Sequence, residues 1–117
     1  MKGVRATKPR IEVIEQVFKT LIQYTEKRPD MNMSCLWEFL PLKKICSVPN
    51  DTTACSRSPY LNVVQLVRWT ENTEENLKYA RDASREITDF VVKGNVELSA
   101  ADNVGYGNYG RLSFGPV

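Results

Sequence analysis

Residues 60–69 read YLNVVQLVRW, and the reading of this run decides the fold. Side chains in an extended strand alternate between two faces. Leu61, Val63, Gln65, Val67 and Trp69 therefore share one side, and Asn62, Val64, Leu66 and Arg68 share the other. Valines crowd χ1 in a helix and pack well on a pleated surface. Both sides carry apolar groups, which predicts a strand covered to some degree on each face.

Upstream, residues 32–40 read NMSCLWEFL and alternate again. Met33, Cys35, Trp37 and Phe39 make a greasy face. Asn32, Ser34, Leu36 and Glu38 make a mixed one. Pro41 closes the run. Between the two strands lie residues 41–59, rich in turn formers (SVPNDTTACSRSP at 47–59) and read as a long loop.

Helical spacing flanks the strands. Residues 10–27 place Ile11, Ile14, Phe18, Leu21 and Ile22 on one stripe, with Glu12, Glu15, Lys19 and Glu26 off it. Residues 73–92 place Leu77, Ala80, Ser84, Ile87 and Val91 on a second stripe. Asn72 or Thr73 is the candidate cap, Glu74 and Glu75 suit the positive helix end, and Lys93-Gly94 stops the helix. The predicted order is helix, strand, strand, helix, tail. Two strands alone make a marginal sheet, so the expectation is an incomplete domain, with further strands supplied from outside this chain.

The totals bound the function. The chain has 117 residues, 42% hydrophobic and 26% charged, which is globular composition for one domain. Its net charge of +2 is spread without a basic stripe, which speaks against nucleic acid. It has no apolar run near the ~18 residues that span a bilayer, and no apolar core near Met1 to make a secretory signal. Histidine is absent, which removes the commonest neutral-pH base and metal ligand. Cys35, Cys46 and Cys55 lack zinc spacing, so no metal site is expected. They read as three free thiols, with a Cys46–Cys55 bridge as the alternative in an oxidising compartment. Asn32-Met33-Ser34 and Asn50-Asp51-Thr52 are glycosylation triplets, a weak hint of a secreted parent.

The tail holds DNVGYGNYG at residues 102–110, two tyrosines held between glycines. Glycine lets a backbone run close to a bound group. Asn108 both donates and accepts.

Taken in order, these segments resemble one family, the flavin-dependent oxidases of the berberine bridge enzyme type. The resemblance rests on a helix, a strand ending LWEFLPL, the loop VPNDTTAC, a strand ending in Trp (VVQLVRW), an acid-rich helix start TENTEEN, and Tyr106-Gly107-Asn108-Tyr109 as a Tyr-x-Asn-Tyr segment. It spans residues 11–109. It implies an α+β fold with helices packed on one face of a small antiparallel sheet. Residues 1–117 would be part of a substrate domain whose tail returns to FAD.

The FAD itself would be bound by a missing N-terminal portion or a separate chain. Tyr109 would be the catalytic base, Tyr106 and Asn108 would bind cofactor, and Asn62 and Val64 would face a small-molecule substrate. The sequence leaves open whether Asn62 or Gln65, of opposite parity, supports the base. It departs from the family at Arg111, where an Asp is usual, and at Cys55, where an aromatic is usual. Without His, this chain makes no histidyl flavin bond. The resemblance therefore implies the C-terminal part of an oxidoreductase, inactive alone. A module that dimerises through an exposed strand edge is the alternative from another class. A biosynthetic protein without redox chemistry is a third.

Overall fold

The computed structural model describes residues 1–49, 51 and 59–95. Six elements follow one another: β1 (Lys2–Ala6), α1 (Ile11–Lys27), β2 (Asn32–Glu38), α2 (Leu42–Cys46), β3 (Leu61–Arg68) and α3 (Glu74–Lys93). The strands form one antiparallel sheet in the order β1-β3-β2. The fold is α+β, as the sequence predicts.

Two elements add to the predicted order. The first strand, β1, lies in a stretch that shows little strand patterning, because Gly3 and the charges of Lys2 and Arg5 dilute it. It pairs with β3 from Lys2↔Gln65 to Ala6↔Leu61. One of the neighbours that the apolar central strand asks for therefore lies within the chain itself. The other addition, α2, is a single exposed turn inside the region read as loop.

The last strand in sequence is the middle one in space. β1 and β2 run parallel to each other with β3 inserted between them, a split β-α-β arrangement. Both helices lie on one face. There Val4, Ala6 and Val63 meet Val17, Ile87 and Val91, with Val13, Leu21, Cys35, Trp37 and Phe90 packed around them. The alternation read in the sequence thus predicts the inward sides of β2 and β3, except that Phe39 lies beyond the end of β2 and is exposed.

Helix α3 buries the predicted stripe: Ala80, Ser84, Ile87 and Val91 are buried and Leu77 is half-buried. The Thr73 side chain caps it by accepting from the Asn76 backbone N–H at 3.2 Å. At its other end Asn95 donates to the Val91 carbonyl at 2.6 Å. The Asn95 side-chain carbonyl also accepts from the Thr7 backbone N–H at 3.0 Å and the Thr7 hydroxyl at 3.2 Å, which ties α3 to the end of β1.

Helix α1 departs from its predicted stripe. Val17 and Thr20 are buried, and Val13, Ile14, Leu21 and Tyr24 are half-buried, so that Ile14 and Leu21 of the predicted stripe are partly covered. Ile11 is 71% exposed and Phe18 63% exposed, and Ile22 is also open. The reason is geometric: at about 100° per residue, α1 carries two apolar stripes roughly 130° apart, and the helix turns the Val13–Val17–Thr20–Tyr24 side towards α3. Tyr24 stacks edge-on with Tyr79 at 5.4 Å. Its hydroxyl donates to the Glu86 carboxylate. Gly94 lets α3 approach α1 closely, since a Cβ there would stand 2.3 Å from Val13 Cγ2.

Candidate functional site

The sheet face turned away from both helices carries two cross-strand rows. In the first, Arg5, Asn62 and Glu38 stand in register across β1, β3 and β2. In the second, one step along, stand Gly3, Val64 and Leu36. A cation, an amide and a carboxylate thus lie beside a short apolar strip. Asn62 Nδ2 donates to Glu38 Oε2 at 3.1 Å. This bond orients the amide and makes Oδ1 its accepting end.

Of the two residues expected to face substrate, Asn62 is half-buried and polar on this face. Val64 stands on the same face and is 1% exposed, with its neighbour Leu36 49% exposed. Leu36, rather than Val64, is the apolar group of the row that a ligand can reach. Tyr106, Asn108 and Tyr109 lie outside the described residues. So does the stretch from Thr52 to Ser58.

Parity between Asn62 and Gln65 is resolved. Gln65 is on the helix side, 1% exposed and opposite Cys35. Its Nε2 makes a 3.4 Å contact to the Leu66 carbonyl, and its Oε1 has no partner. Burial beneath the helices removes Gln65 from any site on the opposite face of the sheet. Cys35, beside it, is buried enough to push its thiol up to about 11, against a small lowering from Trp37. Cys35 and Cys46 are free thiols.

Sequence reasoning missed Glu38 and Arg5 as members of the site. Glu38 was visible on the mixed face of its strand. Only the register, which alternation leaves open, places it opposite Asn62.

A second polar region lies at the other end of β3, where a depression of about 440 Å³ is lined by Arg28, Asp30, Thr70, Glu71 and Asn76 among others. Arg28 grips Asp30 through Nε and Nη2 at 2.9 and 2.6 Å and donates to Asn76 Oδ1 at 2.6 Å. Its guanidinium also sits 5.3 Å from the Tyr79 ring centre. The Arg28 bond holds the Asp30 carboxyl below the usual carboxylate range. Arg28 and Asp30 are already partnered with each other, and Arg28 also with Asn76, so this cluster joins the end of α1, the start of β2 and α3.

No family model, no curated protein and no solved structure matches this chain.

Proposed function

We propose that this chain is part of the substrate domain of an FAD-linked oxidase of the berberine bridge enzyme type, acting on an alcohol, sugar or amine-type substrate. The observation that carries the reading is the sheet face opposite α1 and α3, where the Arg5–Asn62–Glu38 row adjoins the Gly3–Val64–Leu36 row. A flavin ring has apolar faces and a hydrogen-bonding edge, and the two rows offer one surface of each kind. The fit covers the ring alone. The chain brings no Gly-rich phosphate loop, so the diphosphate of FAD would be held by other polypeptide.

When bound, FAD supplies the hydride acceptor, and this chain supplies orientation and a base. Tyr109 would take the proton from the substrate. A free phenol has a pKa of about 10, so it needs a neighbour that favours phenolate. Asn62 Oδ1 would hold the substrate hydroxyl, with Glu38 fixing the amide. Tyr106 and Asn108 would lie against the cofactor. By itself the chain would bind a flavin weakly and turn nothing over.

Backbone amide shifts of ¹⁵N-labelled protein titrated with riboflavin test this. The reading expects a weak isotherm, with Kd near ~1 mM, whose shifts cluster at Leu36, Glu38 and Asn62 and shrink in Asn62→Leu. Shifts spread over α1 and α3, or none at that concentration, would remove the sheet face as a flavin roof.

A further inference from the structure

Helix α1 has three sides with different neighbours. Val13 meets Gly94 of α3, and Tyr24 meets Tyr79 and Glu86 of the same helix. Val17 and Leu21 pack with Cys35 and Trp37 over the sheet. At about 100° per residue, Ile11, Phe18 and Ile22 fall within an arc of about 40° on the flank turned away from α3. They are 71%, 63% and 40% exposed. Scattered exposed hydrophobic residues are ordinary, but a continuous strip of them marks a surface that binds something. Steps of seven and four along a helix are the spacing of a helix–helix seam.

We propose that this strip packs on the α1 strip of a second copy of the chain, antiparallel, across a two-fold axis. Charge complementarity chooses this occupant. Glu15, Lys19 and Glu26 run along one border of the strip, Lys8 stands just before the helix, and all four are exposed. A two-fold axis normal to the seam brings the same border of both helices together. Setting Ile11 opposite the copy's Ile22 fixes the register. The two Phe18 rings then meet near the axis, Glu15 stands opposite the copy's Lys19, and Glu26 stands opposite its Lys8. Each pair occurs twice, and each joins opposite signs. One register therefore serves both the apolar strip and its charged border, as a self-complementary surface requires. The seam is made by the helices alone.

Its size sets its strength. The 17 residues of α1 make a helix of ~25 Å, and a single helix of that length covers less than the ~800 Å² per partner of a standard interface. The complex is accordingly weak, with a Kd of ~50 µM.

The seam belongs to the helix layer, on the other side of the sheet from the flavin reading, so the two fail separately: a negative riboflavin titration leaves the dimer standing, and a monomer that binds riboflavin sinks only the dimer. Sedimentation equilibrium between about 10 µM and about 1 mM should show the average mass rising from 13.4 kDa towards twice that value. Phe18→Lys, at an exposed position, should keep its circular dichroism and raise Kd by about tenfold or more. Lys19→Glu alone should raise Kd by about threefold or more, and Glu15→Lys combined with Lys19→Glu should restore wild-type association. A chain that stays monomeric at about 1 mM, as it would if its own polypeptide covered the strip, would overturn the proposal. So would a dimer indifferent to Phe18→Lys, or a double charge swap that associates no better than Lys19→Glu.

Discussion

Gly94→Ala tests the close approach of the two long helices, because two effects of opposite sign meet there. Gly94 has φ −75° and ψ −8°, a right-handed helical conformation that alanine adopts freely. In open space the substitution would stabilise the fold by about 0.5–1 kcal/mol, through lost freedom of the unfolded chain. The space is not open. The new Cβ would lie 2.3 Å from Val13 Cγ2 and 3.2 Å from the Phe90 carbonyl oxygen. Carbon atoms at rest sit about 3.5–4 Å apart, so the overlap exceeds an ångström, against a short branched side chain that packs on the core. Overpacking of this kind costs about 1–3 kcal/mol. The net expectation is a loss of about 1–2 kcal/mol, read from urea unfolding followed by circular dichroism.

Val13→Ala removes the obstructing methyl at a cost of about 1–1.5 kcal/mol, from ~0.8 kcal/mol per buried CH₂. The double variant should then be more stable than the sum of the single changes, with a coupling of about 1–2 kcal/mol. A stabilised Gly94→Ala, or losses that add to within about 0.5 kcal/mol, would show that α1 and α3 do not meet at this point.

The remaining predictions follow from other contacts. Asn95→Ala should cost about 2–3 kcal/mol by leaving the Val91 carbonyl and the Thr7 amide without their partner, and urea unfolding should place its midpoint below that of wild type with an unchanged slope. Burial, and then the bond to Glu86, push the Tyr24 phenol up to about 12. Its folded value is raised above the unfolded one, so its contribution is intact below pH ~10 and fades as pH rises through about 12. In an absorbance titration at alkaline pH, Tyr24→Phe should delete a late-ionising phenol; loss of an early one would contradict the Tyr24–Glu86 contact. Cys35, with its thiol raised to about 11, should react with a thiol reagent at neutral pH far more slowly than exposed Cys46, and equal rates in single-cysteine variants would contradict the packing of Cys35 against the core.

Legibility in the sequence followed how many signals agreed at each place. At α3 the cap, the acidic first turn, the stripe and the terminal glycine all point to one answer, and Thr73, Ile87 and Gly94 stand where they were expected. The inward sides of β2 and β3 were equally plain, since strand alternation admits only two answers. At α1 the apolar residues cover more than half the circumference, so the pattern marks a helix without saying which arc is buried. The arc was settled by Gly94 and Tyr79 on the neighbouring helix. The first strand escaped because a five-residue segment with Gly3 and Arg5 has too little period to register; its partner lies some sixty positions away. That distance also hid the site. Asn62 and Val64 stand out together on one strand, whereas Glu38 and Arg5 join them only through cross-strand register.

The middle position of β3 sets the order in which this protein can be made. Among the described residues, both ladders of the sheet have one side in residues 61–68. Until residues 61–68 have emerged, neither β1 nor β2 has its described partner, and for β1 that partner lies some sixty positions downstream. Long-range pairing of this kind is slow. Of the two outer strands, β1 is consequently the one that waits longer for β3.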